Sequence, residues 1–219
     1  MREQEHAFSP QERDAVYRAI FERRDMRHFI SAPVDEAILK RLLQAAHHAP
    51  SVGFMQPWRF IRIQSTEKRQ QIARLVEKER QRTADALDER GQDFLYLKVE
   101  GLRECAEVWV VTLSDQREHH VFGRRTMPYM DMASVSCAIQ NLWLAARAEG
   151  IGVGWVSLYD PESLRELIGA PAQATPLAVL CIGHVARFYD RPMLEEVKWA
   201  TRDPLEHIMM TDTWSADSE

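Results

Sequence analysis

From Asp131 to Glu149 the chain is apolar nearly all round a helix, with Val135, Ile139, Leu142, Trp143 and Ala146 spread over its surface. A helix of that kind has no broad face to give to water, so other elements must cover it. It becomes the central helix of the core, and Gly150 ends it. A chain of 219 residues is long enough to bury such a helix within one domain. Short apolar runs supply strands to pack on it. Val108 to Leu113 alternates little and reads as a buried strand, as does Leu177 to Gly183. Trp58 to Gln64 and Gly152 to Ser157 read as two more.

Further helices are marked by their ends. Ser9 caps, Pro10 suits the first helical position, and Glu12 completes a capping box. That helix runs to about Arg23 with Val16, Ala19 and Ile20 on one face. Asp35 caps a second, whose stripe is Ile38, Leu39, Leu42, Leu43 and Ala46, and Pro50 stops it. Thr66 to about Gly91 is a long charged helix with Ile72, Leu75 and Val76 inward. Phe94 to Leu102 reads as helix or covering loop, and Pro161 to Ile168 as a short helix. The remainder, 186–219, alternates proline with charge and reads as an extended arm on a single domain, 1–219, whose core is 10–185.

Net charge is −5, so no overall basic field recruits nucleic acid. No segment approaches the ~20 apolar residues of a membrane span. The polar stretch Met1 to Pro10 lacks the apolar run of a signal peptide. Cys105, Cys137 and Cys181 lie far apart in apolar contexts, which predicts buried free thiols in a reducing cytoplasm.

Chemistry concentrates in Arg23-Arg24-Asp25-Met26-Arg27-His28-Phe29. Guanidinium groups hold phosphate and planar carbonyl groups through a rigid fork of donors. Three so close repel one another unless an anion sits nearby. The ordinary reading is a solvated helix end; the carboxylate and the aromatic among them fit a phosphate-bearing ligand equally well. A second candidate is Pro50 to Trp58, where Ser51, Gly53 and Gln56 can bring backbone and an amide against a flat heterocycle. The alternative is a plain helix-to-strand turn.

Gly150, Gly152 and Gly154 follow a helix and lead into a strand, the reverse of a dinucleotide fingerprint. Their use is close approach of a backbone or ring. No G-x-S-x-G surrounds Ser157, so nothing in the sequence points to a hydrolase nucleophile there. His47-His48 and His119-His120 are adjacent pairs that point about 100° apart on a helix, so neither forms a metal face and no metal site is expected.

At these motifs the sequence resembles the flavin-dependent nitroreductase family, which carries R-R-x-x-R-x-F and P-S-x-x-x-x-Q-P-W. They stand here at Arg23–Phe29 and Pro50–Trp58, and the likeness spans roughly Pro10 to Pro204. The resemblance implies an α+β sandwich built as a domain-entwined homodimer with FMN at the subunit interface. Asp25 stands where the common reductases have serine, and Val52-Gly53-Phe54-Met55 lacks their asparagine. With Gly154-Trp155-Val156-Ser157 and Arg124-Arg125-Thr126-Met127-Pro128, this is similar to a branch that consumes reduced FMN as substrate and O2 as co-substrate. Its products are 5,6-dimethylbenzimidazole, the lower ligand of cobalamin, and erythrose 4-phosphate. NAD(P)H then acts only indirectly, through a separate flavin reductase.

The same resemblance implies FMN contacts from Arg23, Arg24, Asp25, Met26, Arg27, Leu97, Ser157 and Arg202, with Ser51 reaching across the dimer interface. Asp25 and Ser157 become the catalytic pair. Asp25 would move protons as the ring contracts, kept ionised by the flanking arginines. Ser157 would hydrogen-bond the breaking ring. Two other readings stay open: an NAD(P)H-dependent nitro- or quinone reductase that retains FMN, and a flavin-storage protein without turnover.

Overall fold

The computed structural model describes residues 6–214; the beginning of the polar N-terminus and the tip of the C-terminal arm lie outside the described residues. The described chain falls into two compact units, divided between Phe188 and Tyr189.

The first unit is an α+β sandwich. Its strands are β1 (Trp58–Arg62), β2 (Glu107–Leu113), β3 (Gly152–Val156) and β4 (Thr175–Gly183). They form one antiparallel sheet in the order β1-β2-β4-β3. The β2–β4 register slips between Val111 and Thr112, next to the Thr112–Pro176 pair. Proline has no N–H to give a ladder, so the irregularity falls where the ladder is weakest.

Its helices are α1 (Pro10–Glu22), α2 (Glu36–His47), α3 (Thr66–Ala86), α4 (Gly91–Tyr96), α5 (Met130–Ala148) and α6 (Pro161–Leu167). The sheet separates two apolar layers. Trp58, Trp109, Val111, Leu180 and Ile182 pack with Leu39, Leu42 and Ala46 of α2 and with Val135, Ile139, Leu142 and Trp143 of α5. On the other face Val108, Val110, Val179 and Cys181 pack with Ile72 and Val76 of α3 and Leu164 of α6. Both faces of the sheet are covered, which is why β2 and β4 show little alternation in sequence.

Several details differ from the sequence reading. The long charged helix breaks after Ala86, because Asp88 takes a left-handed φ of 45° and Gly91 packs on the Ala84 carbonyl. No residue of α1 is buried: Val16, Tyr17, Ile20 and Phe21 are all exposed. On α5, Met132 and Cys137 are exposed while the other sides are enclosed. Cys137 is therefore a surface thiol, not a core one; Cys105 and Cys181 are buried as expected, and all three are free. Both departures have one physical origin: an apolar helix face needs a surface to cover it, and the described residues leave these faces open.

The second unit holds α7 (Met193–Glu196) and one 3₁₀ turn, Leu205–His207, with little other regular structure.

Candidate active site

The arginine cluster starts where α1 ends. Arg23 caps the helix in an extended conformation, and the chain then runs along the open edge of β3. The Met26 N–H donates to the Val153 carbonyl at 2.9 Å, and Asp25 bridges Val153 in parallel sense. Ile30 makes a second bridge, to His184. Gly154 permits this. A Cβ there would collide with the Met26 carbonyl and lie 2.9 Å from Arg27 Nη1. The glycine-rich strand thus serves close approach of a backbone.

Asp25 and Arg27 both grip Trp155. Asp25 Oδ1 accepts from the Trp155 N–H at 2.9 Å, and Oδ2 accepts from Arg27 Nη2 at 2.6 Å. The same Nη2 donates to the Trp155 carbonyl at 2.8 Å. Arg27 is buried. Asp25 keeps 41% of its side-chain surface open, although both its oxygens accept hydrogen bonds from the protein. Loss of water around the carboxyl raises its pKa above the ordinary 3.8, against weaker pulls from Arg27, the Trp155 N–H and Arg23. The open flank keeps the rise short of that of a fully enclosed acid. Desolvation is thus the largest influence on this carboxyl, ahead of the arginines that stand beside it in sequence.

Helix α5 fixes the rest of the cluster. Trp143 Nε1 donates to the Arg24 carbonyl at 3.2 Å, and the Arg23 guanidinium lies 4.5 Å above the Trp143 ring. Arg147 pairs with the Glu22 carboxylate and donates from Nε to the Glu22 carbonyl at 3.2 Å. Arg24 donates from Nη1 to the carbonyls of Phe21 and Arg23, at 2.7 and 2.8 Å. Trp143, Arg147 and Trp155 carried no sequence signal of this role, because each meets the cluster across more than a hundred residues. The Met26 side chain is fully buried, so only its backbone faces the edge.

Ser157 lies two residues beyond Trp155, exposed at the end of β3. Ser51 opens the second candidate loop, and its Oγ accepts from the Gln56 N–H at 3.0 Å. Its hydroxyl hydrogen remains available to donate. The next residue, Val52, donates its N–H to Ser134 Oγ on α5. Ser134 and Trp143 are nine residues apart, or about 13 Å along a helix. The loop and the arginine cluster thus meet α5 at separate points. Leu97 is half-buried at the end of α4. Arg202 is exposed in the second unit.

A nitroreductase family model matches residues 20–184, most of the chain and both candidate motifs. The chain belongs to the nitroreductase family. Within it, the chain is 40% identical over 208 residues to the 5,6-dimethylbenzimidazole synthase of Rhodospirillum rubrum, covering 90% of this chain and 94% of that protein. It is 36% identical over 201 residues to the enzyme of the same name from Rhodobacter capsulatus, covering 91% and 97%. Among solved structures, iodotyrosine deiodinase bound to FMN and 3-iodo-L-tyrosine superposes with a TM-score of 0.72 at 20% identity, over 91% of this chain and all of that one. Nitroreductase A of Vibrio parahaemolyticus gives 0.70 at 20% identity, over 95% and 78%. At these identities the two structures speak for the nitroreductase fold alone. No described helix is long and apolar enough to cross a membrane.

Proposed function

We propose that this nitroreductase-family protein is a 5,6-dimethylbenzimidazole synthase that fragments reduced FMN with O2. The observation that carries the reading is Asp25, a carboxylate seated inside the arginine cluster and tied to both Arg27 and Trp155. A hydride-transferring reductase has no task for it. The donor set fits the ligand: three arginines stand within five positions, and the guanidinium fork suits a phosphate monoester. Reduced FMN supplies the ring that becomes the benzimidazole, and O2 is the oxidant.

The chain's own groups then take these roles. Arg23, Arg24 and Arg27 hold the phosphate, the sugar chain and the pyrimidine edge. Asp25, its pKa raised by burial, accepts and returns protons near the ring. Ser157 donates or accepts a hydrogen bond at the breaking ring, and Leu97 packs on the ligand. Ser51 donates its hydroxyl from a second copy of the chain. The separation of the Ser51 loop from the cluster along α5, and the uncovered apolar faces of α1 and α5, support that homodimer.

The competing reading is an NAD(P)H-dependent nitro- or quinone reductase. The expected result is that NADPH alone, without oxygen, bleaches bound FMN no faster than it bleaches free FMN. Rapid anaerobic bleaching, followed by stopped-flow absorbance, would favour the reductase.

A further inference from the structure

The loop after Ser51 is strained. Phe54 and Gln56 both hold left-handed backbone, at φ 53° and 50°, and Gly53 between Val52 and Phe54 is left-handed too. Non-glycine residues adopt this region only where surrounding contacts over-determine it. Two sets of contacts do so. Ser134 on α5 accepts the Val52 N–H at 3.0 Å and donates to the Met130 carbonyl at 2.6 Å, so its hydroxyl is used in both directions. Ser134 is itself buried.

The turn 121–124 lies against the other side. A Cβ on Gly53 would be 2.8 Å from the Phe122 carbonyl, and one on Gly123 would be 2.5 Å from Val52 Cγ2. Both glycines have positive φ, so the two turns interlock where neither tolerates a side chain. The 121–124 turn is tied down in its turn. Arg124 Nε donates to buried Asp131 Oδ2 at 3.1 Å, and Arg117 Nε donates to the same oxygen at 2.9 Å. Asp131 sits in the first turn of α5, where a carboxylate also suits the helix dipole.

We infer that Ser134, with the Asp131–Arg124 ion pair behind it, is a positioning device that fixes the Ser51 hydroxyl for the flavin. This rests on the reading of Ser51 as a flavin contact. Neither Ser134 nor Asp131 touches the ligand; they hold a strained loop in the single conformation that presents Ser51. The device acts through Ser51, so its effect on flavin binding must vanish when that hydroxyl is absent.

The test is a double-mutant cycle on the full-length protein, read by equilibrium FMN titration and by thermal melting. Ser134→Ala is expected to weaken FMN binding about fivefold, the scale of one hydrogen bond. In a Ser51→Ala background the same substitution should cost nothing further in binding, while still lowering Tm. Arg124→Gln, which leaves Arg117 on Asp131, is a second variant should Ser134→Ala fold poorly, and it should show the same dependence on Ser51. Losses that multiply in the double variant would overturn the inference. So would a fall in Tm with FMN affinity unchanged, since that marks a scaffold contact only. A wild-type protein that binds FMN yet makes no benzimidazole would defeat the proposed function and leave this cycle decisive.

Discussion

Asp25→Asn is expected to slow benzimidazole formation by about 10²–10⁴, the usual worth of a positioned proton carrier. Binding should move the other way. Removing one negative charge from beside Arg23, Arg24 and Arg27 leaves affinity for an anionic ligand unchanged or somewhat higher. The variant should therefore bind reduced FMN, meet oxygen, and return oxidised FMN. The structure adds a cost that shape alone conceals. The carboxylate accepts from two donors, Arg27 Nη2 and the Trp155 N–H. An amide has one oxygen, so one donor must face an NH2 group. A stability loss of about 1 kcal/mol follows, since water reaches the open flank of this site.

A pH control separates the two effects. Burial raises the folded pKa of Asp25 above 3.8, so the folded state binds this proton more tightly than the unfolded chain. The group's contribution is complete below 3.8 and is lost as pH rises through the folded value. Asp25→Asn should flatten that segment of the stability–pH curve. Benzimidazole production at the wild-type rate by the Asn variant would make Asp25 a charge-balancing residue and nothing more.

Arg27→Met carries the second large effect. It strips Asp25 of its cation and leaves the Trp155 carbonyl without its Nη2 donor. Breaking a fully buried pair costs about 3–5 kcal/mol. Asp25 keeps 41% of its side chain open, which reduces the expected loss to about 2 kcal/mol by solvent screening. FMN binding should weaken by about 1.5–3 kcal/mol besides, the scale of a charge-assisted hydrogen bond. Arg27→Lys should recover part of the stability, because one nitrogen serves both Asp25 and Trp155. Thermal melting and flavin titration together check this. A Met variant with both values unchanged would return the cluster to a solvated helix end.

The elements were legible because their signals are local. The capping box at Ser9 and Glu12, the Asp35 cap and the left-handed Gly150 at the end of α5 are each settled within a few residues of sequence. The arginine cluster and the Ser51 loop stood out for the same reason. What holds them did not. The grip of Asp25 and Arg27 on Trp155 spans about 130 positions, and Trp143 reaches Arg24 across 119. No periodicity encodes such a pairing. The exposure of Cys137 and of the α1 face was hidden for another reason: an apolar pattern says that a face will be covered, not by which molecule. The upward pull on the Asp25 pKa was hidden too, because adjacent charges are visible in sequence and burial is not.

In the proposed reaction the flavin itself is consumed. The most direct test is product analysis after wild-type protein with anaerobically reduced FMN is opened to air, using chromatography with mass detection. 5,6-Dimethylbenzimidazole is expected to appear as FMN disappears, with no benzimidazole when oxygen is withheld or when Asp25→Asn replaces wild type over the same interval. Quantitative recovery of intact oxidised FMN from the wild-type reaction would contradict the proposed function.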